Sequence, residues 1–239
     1  MKLDLLAIAA HPDDVELTCG GTLIKAALAG YKTGVLDLTR GEMGTRGTPE
    51  TRAKEAAAAA KVMGLAWRGN LEVPDSDVQA TRENKLALAR VIRKVRPHTV
   101  IIPYWVGRHP DHYNSSTLAY EGCFLAGLKQ LAIEGEAFRP FKVLYALADS
   151  DHVKPSFAVD ITEVFERRRR AILCYQSQFR PRGKARHSKV FIPLDNLQQK
   201  MDLIARASGR LIGVEYAEAF LVRETMQVED VVSLPVRSM

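Results

Sequence analysis

Strand and helix signals alternate through the first half of the chain. Leu3–Ala9, Thr33–Thr39, Ala66–Leu71 and Thr99–Ile102 read as short strands. The first is almost wholly apolar, the pattern of a strand covered on both faces. Helical stretches lie between and after them. One runs from Gly20-Gly21 to near Gly30. A second opens at Thr48-Pro49, with proline at the first helical position, and closes at Gly64. A third carries Leu88, Val91, Ile92 and Val95 at i, i+3, i+4, i+7 and stops at Pro97. A fourth reaches roughly Leu131. Repeated βα units predict an α/β fold, a Rossmann-like doubly wound and mainly parallel sheet in three α/β/α layers with right-handed crossovers. The second half is less regular. Phe141–Ala148 and Phe157–Asp160 read as strands, Thr162–Gln176 as a helix, and Asp195 with Gln198 as a capping box before a last helix. A length of 239 residues suits one continuous core, so positions 1–239 are read as a single domain.

Composition excludes several classes. With 46% hydrophobic and 26% charged residues the chain has an ordinary globular balance. No apolar stretch approaches the 18 residues or so of a membrane span, and Leu3–Ala10 lacks the basic leader and cleavage site of a signal peptide. Three widely spaced cysteines, Cys19, Cys123 and Cys174, suggest reduced thiols and a cytoplasmic setting rather than a disulfide framework. The net charge of +6 raises nucleic-acid binding. Yet Arg167–Arg170 falls in a helix whose solvated face explains it, and the basic loop from Arg180 to Lys189 has no interleaved aromatic ladder. No nucleic-acid and no membrane partner is expected.

Two clusters nearly repeat each other about a hundred residues apart: His11-Pro12-Asp13-Asp14 and His109-Pro110-Asp111-His112. Each follows a predicted buried strand. An aspartate there is often only a helix cap, and proline suits a helix start. Capping does not call for adjacent carboxylates or for histidine at both ends of the second cluster. In a doubly wound sheet of order 3-2-1-4-5 the first and fourth strands are neighbours, and loops leaving their carboxyl ends share one crevice. Three imidazoles and three carboxylates would then meet, the mixture a hydrolytic zinc site needs. No nicotinamide site is expected. The first βα turn lacks Gly-x-Gly-x-x-Gly, and Asp13 and Asp14 would repel a pyrophosphate.

Several separated motifs, in order, carry a resemblance over most of the chain. They are Ala10-His11-Pro12-Asp13-Asp14, Gly20-Gly21-Thr22, Thr39-Arg40-Gly41-Glu42 with Gly44-Thr45-Arg46-Gly47, Arg52 with Glu55-Ala56, Arg108-His109-Pro110-Asp111-His112, and Tyr175-Gln176-Ser177-Gln178. The sequence resembles the PIG-L-like (LmbE-like) zinc deacetylases. Asp13-Asp14-Val15-Glu16-Leu17 and the Gly213–Phe220 ending look most like the bacillithiol branch, which deacetylates N-acetylglucosaminyl malate. The resemblance implies a Zn2+ ion (iron(II) tolerates similar ligands) held by His11, Asp14 and His112. It leaves Asp13 as general base, His109 as oxyanion stabiliser if protonated, and Asp111 as the carboxylate that holds an imidazole. Val15 stands where many members have glutamate, so Glu16 is given no catalytic role. Mycothiol-pathway relatives use a tyrosine near the oxyanion. Gly107 offers none, which leaves Tyr216 as an open question.

Arg52 and Arg108 are candidates for gripping a substrate carboxylate, with pairing to a local acid as the plainer alternative. Gln178 either touches the sugar or closes a loop. His152 is expected to lie away from the metal, and Cys19 to be a packing residue. The substrate expected is a small, anionic N-acetylglucosaminyl conjugate, and the family implies a homo-oligomer, trimer or hexamer. Competing readings keep the chemistry and change the substrate to another N-acetyl sugar or a thiol conjugate, or retain the metal without turnover.

Overall fold

The computed structural model describes residues 1–147, 153–179 and 194–236, with side chains from Leu197 onward in the last segment. Its strands are β1 (Leu5–Ala9), β2 (Thr33–Asp37), β3 (Trp67–Asn70), β4 (Thr99–Pro103), β5 (Lys142–Ala146), β6 (Phe157–Asp160) and β7 (Ala217–Leu221). They form one sheet in the order β3-β2-β1-β4-β5-β7-β6. The first five are parallel to one another. β7 is antiparallel to both β5 and β6.

The period-two geometry of a strand divides the core into two layers. Leu5, Ala7 and Ala9 of β1, with Val35 and Ile101, face one side, where they meet α2 (Gly20–Leu28), α3 (Pro49–Met63), α6 (Phe165–Ile172) and α8 (Leu194–Ile212) through Leu23, Ile24, Ala56, Met63, Phe165 and Ala205. Leu6 and Ile8, with Leu36, Val100 and Ile102, face the other, against Leu88, Ile92 and Val95 of α4 (Arg82–Val95) and Leu118 and Ala119 of α5 (Pro110–Ala126). Both faces being covered explains why these strands read as continuous apolar runs. Helix ends follow local chemistry. Thr48 caps α3 by accepting from the Thr51 amide at 3.2 Å, Pro49 fills its first turn, and Gly64 closes it at φ 77°.

Three expectations are corrected. The segment read as a helix over Thr162–Gln176 is a 3-10 turn at Thr162–Val164, then α6, then the short α7 (Gln176–Phe179). The helix expected to reach Leu131 ends at Ala126, where Gly127 follows and Arg139 packs beside it. β7 is an additional strand. Its sequence, Ala217-Glu218-Ala219-Phe220-Leu221, is short, has no β-branched residue and buries a glutamate, so its local strand signal is weak. The capping box at Asp195 adjoins positions outside the described residues. Among the described residues no helix is long and apolar enough to cross a membrane.

Candidate metal centre and catalytic site

β1 lies between β2 and β4, with Leu5 opposite Thr99 and Ala7 opposite Ile101. The winding reverses here, so the loops leaving β1 and β4 open into the same crevice. The first loop turns at once into α1 (Asp14–Thr18), and the second into α5. The His11 amide donates to Asp14 Oδ2 at 2.9 Å and folds the turn on itself. Asp13 sits before α1 in the left-handed region, φ 110° and ψ −27°, and its carboxylate makes no capping bond. A non-glycine residue seldom takes that conformation, and residues that do cluster at functional sites.

The geometry brings His11, Asp14 and His112 together. His11 Nδ1 is 3.3 Å from Asp14 Oδ2, and His112 Nε2 is 3.3 Å from Asp14 Oδ1. One ligand atom from each of the three lies within 4.8 Å of the others. A tetrahedral zinc ion with arms of about 2.0–2.1 Å sets its ligand atoms about 3.3–3.4 Å apart, and each histidine nitrogen lies at that distance from one of the two oxygens of Asp14. Charge fits as well. Burial alone would depress the His11 imidazole, but hydrogen bonds to Asp14 and Asp75 outweigh it and push it up to about 11. Asp14 likewise raises His112. Against burial, His112 and His11 hold the Asp14 carboxyl well below the usual carboxylate range. The pocket therefore favours positive charge, which a divalent cation would supply.

The other nitrogen of His11 faces two further carboxylates. Nε2 is 3.0 Å from Asp75 Oδ1 and 3.2 Å from Asp111 Oδ2. Asp111 is buried and also accepts from the amides of Ser76 and Val78, at 2.8 and 3.3 Å. Asp75 is the site residue that sequence reasoning misses. Its Pro74-Asp75-Ser76 setting reads as an ordinary turn, and its position beyond the carboxyl end of β3 is the only available signal. The second His–Asp set compatible with a cation, His11, His109 and Asp111, shares His11 with the first.

Asp13 stands beside this group without belonging to either set. Burial pushes its carboxyl up to about 7, against the pull of Arg52, whose Nη2 is 3.1 Å from Asp13 Oδ1. Arg52 is buried and also donates to the Pro12 carbonyl. The structure thus turns this candidate carboxylate grip toward Asp13, in line with the plainer alternative of a local acid. His109 is the N-terminal cap of α5, its Nδ1 accepting the Asp111 amide at 3.3 Å. Its ring is 5.1 Å from His11 and 4.8 Å from His112. Partial burial and the neighbouring His112 and His11 pull its pKa down. With Nδ1 accepting from the Asp111 amide, Nε2 is the ring nitrogen left to carry a proton.

Other candidates fall as follows. Arg108 is exposed on the loop before His109. Gln178 Nε2 donates to the Arg46 carbonyl at 2.8 Å, which joins α7 to the glycine-rich loop. Tyr216 stacks on Phe165 and donates to Asp202 Oδ1 at 2.9 Å. Glu16, fully buried, pairs with Arg68 at 2.6 Å and accepts from the Tyr175 hydroxyl at 3.0 Å. Cys19 is packed in the core, and burial pushes its thiol up. His152 lies outside the described residues.

Comparison with known proteins places the chain in a family. Residues 6–123 match the PIG-L family, described as GlcNAc-PI de-N-acetylase. Diacetylchitobiose deacetylase of Thermococcus kodakarensis is 31% identical over 192 residues, 73% of this chain and 70% of that protein. The crystal structure of the conserved protein TT1542 from Thermus thermophilus superposes with a TM-score of 0.84 at 41% identity, covering 95% of this chain and 98% of the other. A 4-oxalmesaconate hydratase of Pseudomonas putida is 26% identical over 200 residues, 72% of this chain and 73% of that protein. The family match and the extent of the first two likenesses establish that the chain belongs to the PIG-L family.

Proposed function

We propose that the protein is a metal-dependent amide hydrolase that removes the acetyl group from an N-acetylglucosamine-type substrate. The observation that carries this is the buried carboxylate of Asp13, which stands beside a three-residue His–Asp–His set without belonging to it. A closed structural site has four protein ligands and no use for a spare base. His11, Asp14 and His112 would hold the ion, zinc by the chemistry of the donors, with iron(II) also compatible. When bound, a divalent ion supplies Lewis acidity, which acidifies water and polarises the acetamide carbonyl. The chain's own residues do the rest. Asp13 accepts the proton of the attacking water and returns it to the amine as the C–N bond breaks. His109, with Nδ1 accepting from the Asp111 amide, offers its Nε2–H to the oxyanion that develops on the carbonyl oxygen. Asp111 and Asp75 hold the His11 ring, so that its Nδ1 faces Asp14.

For the substrate, the reading favours N-acetylglucosaminyl malate in bacillithiol biosynthesis, with Arg108 meeting a malate carboxylate and Gln178 near the sugar. The relative's name, diacetylchitobiose deacetylase, makes another N-acetyl sugar the main alternative. An amide of a thiol conjugate uses the same chemistry. The hydratase relative favours a second reading, addition of water to an unsaturated carboxylate by the same base and ion. We read the chain as one domain over 1–239, cytoplasmic and homo-oligomeric as a trimer or hexamer. The test is a screen of the purified, metal-analysed protein against N-acetylglucosaminyl malate, diacetylchitobiose, N-acetylglucosamine and an unsaturated dicarboxylate. Acetate release from the malate conjugate above the others supports the full reading. Acetate release only from other sugars keeps the deacetylase and removes malate. Loss of the alkene absorbance without acetate would replace hydrolysis by hydration.

A further inference from the structure

The glycine-rich loop between β2 and α3 is unexplained by the reaction above, and so is the strained backbone of Asp13. Arg52 connects them. It projects from α3 and is 5% exposed, too enclosed to meet a substrate carboxylate from solvent. Its guanidinium reaches Asp13 Oδ1 at 3.1 Å and also donates to the carbonyl of Pro12. These two partners flank the backbone of Asp13, which adopts φ 110°. On its other side the guanidinium lies against Gly41, itself at φ +68°. A Cβ at position 41 would fall 2.8 Å from Arg52 Cζ and closer still to Nη1. Only glycine leaves that space. A planar fork with several donors can hold a carboxylate and a neighbouring carbonyl at once, which a lysine ammonium matches less well.

We propose that Arg52 is a positioning residue for the reaction. It clamps Asp13 in its left-handed conformation and aims the free carboxylate oxygen at the attacking water, and Gly41 is the gap that admits the clamp. This rests on the reading of Asp13 as general base. The clamp acts on the turnover step, because the chain's carboxylate must be in place when the proton moves, and not on substrate capture.

The experiment measures acetate release by the metal-loaded protein from neutral N-acetylglucosamine and from its malate conjugate, for Arg52→Ala, Arg52→Lys, Gly41→Ala, Asp13→Asn and the Arg52→Ala/Asp13→Asn pair. Metal content and melting temperature are read alongside. Arg52→Ala is expected to lower kcat about 10- to 100-fold on both substrates. KM should stay within about twofold, with the metal retained. Arg52→Lys should recover part of the loss, and Gly41→Ala should lower kcat in the same selective way. In the Asp13→Asn background Arg52→Ala should cost less than about twofold more, because its effect passes through Asp13. Should Arg52→Ala fail to fold, Arg52→Lys and Gly41→Ala carry the same comparison. A raised KM confined to the malate conjugate, or losses that multiply in the double variant, would overturn the clamp. Wild-type kcat in Arg52→Ala with an inactive Asp13→Asn overturns the clamp alone. Full activity in Asp13→Asn removes the base, and the clamp with it.

Discussion

Asp75 Oδ1 lies 3.0 Å from His11 Nε2, while Nδ1 of the same ring faces Asp14. One imidazole is thereby held from both ends, and a cation that displaced the Nδ1 proton would leave Nε2–H on the carboxylate of Asp75. Such carboxylate partners orient a ligating histidine and typically tune metal affinity about 10- to 100-fold. Asp75→Ala should therefore weaken zinc binding by about that factor, as read by chelator competition. An unchanged affinity would mean that Asp111 holds the ring unaided.

His112 comes from the other half of the βα array and is the most exposed of the three proposed ligands, its side chain 41% accessible. His112→Ala should bring zinc content well below the roughly one ion per chain expected of a three-ligand site. Metal analysis after dialysis tests this, and full stoichiometry in the variant would remove His112 from the ligand set.

Beneath the site, Arg68 is almost saturated. It pairs with Asp37 through Nε at 2.8 Å and Nη2 at 2.9 Å, and with Glu16 through Nη1 at 2.6 Å. Asp37 and Glu16 are buried, and burial pushes the Asp37 carboxyl up even beside this arginine. Arg68→Met would strand two buried carboxylates, a change that costs about 3–5 kcal/mol. A melting temperature lower by about 10 °C is the expected result, and a shift of under about 3 °C would contradict it.

Arg108 is the exposed arginine next to His109. Arg108→Ala should raise KM for a malate conjugate about tenfold, the scale of one charged hydrogen bond, and leave neutral N-acetylglucosamine nearly unchanged. Steady-state kinetics with the two substrates decides it. Equal effects on both would argue against carboxylate recognition at this position.

The site is legible in the sequence where its residues lie on regular elements. His11 and His109 follow strands whose apolar runs are unmistakable, and β1 and β4 are indeed neighbours, so the two clusters meet. The expected order of the first five strands is the one found. What escapes depends on side-chain reach and long-range pairing. Asp75 sits in an irregular loop and gains its meaning only from a ring 64 positions away in the sequence. Arg52 can be recognised as a carboxylate partner, but the direction of a long side chain from α3 is set by the space at Gly41, which spacing along the chain does not encode. β7 is short and finds its place through pairing with β5 and β6, not through local propensity. Glu16 looks incidental in the sequence because its partners, Arg68 and Tyr175, come from distant elements.

The most direct measurement is acetate release by Asp13→Asn, purified and analysed for metal. Nearly isosteric, the amide keeps the shape of the site but cannot accept the proton. The account predicts zinc content equal to the parent protein with kcat lower by at least about 100-fold, the scale of general-base catalysis. Parent-like turnover at full metal occupancy would contradict it.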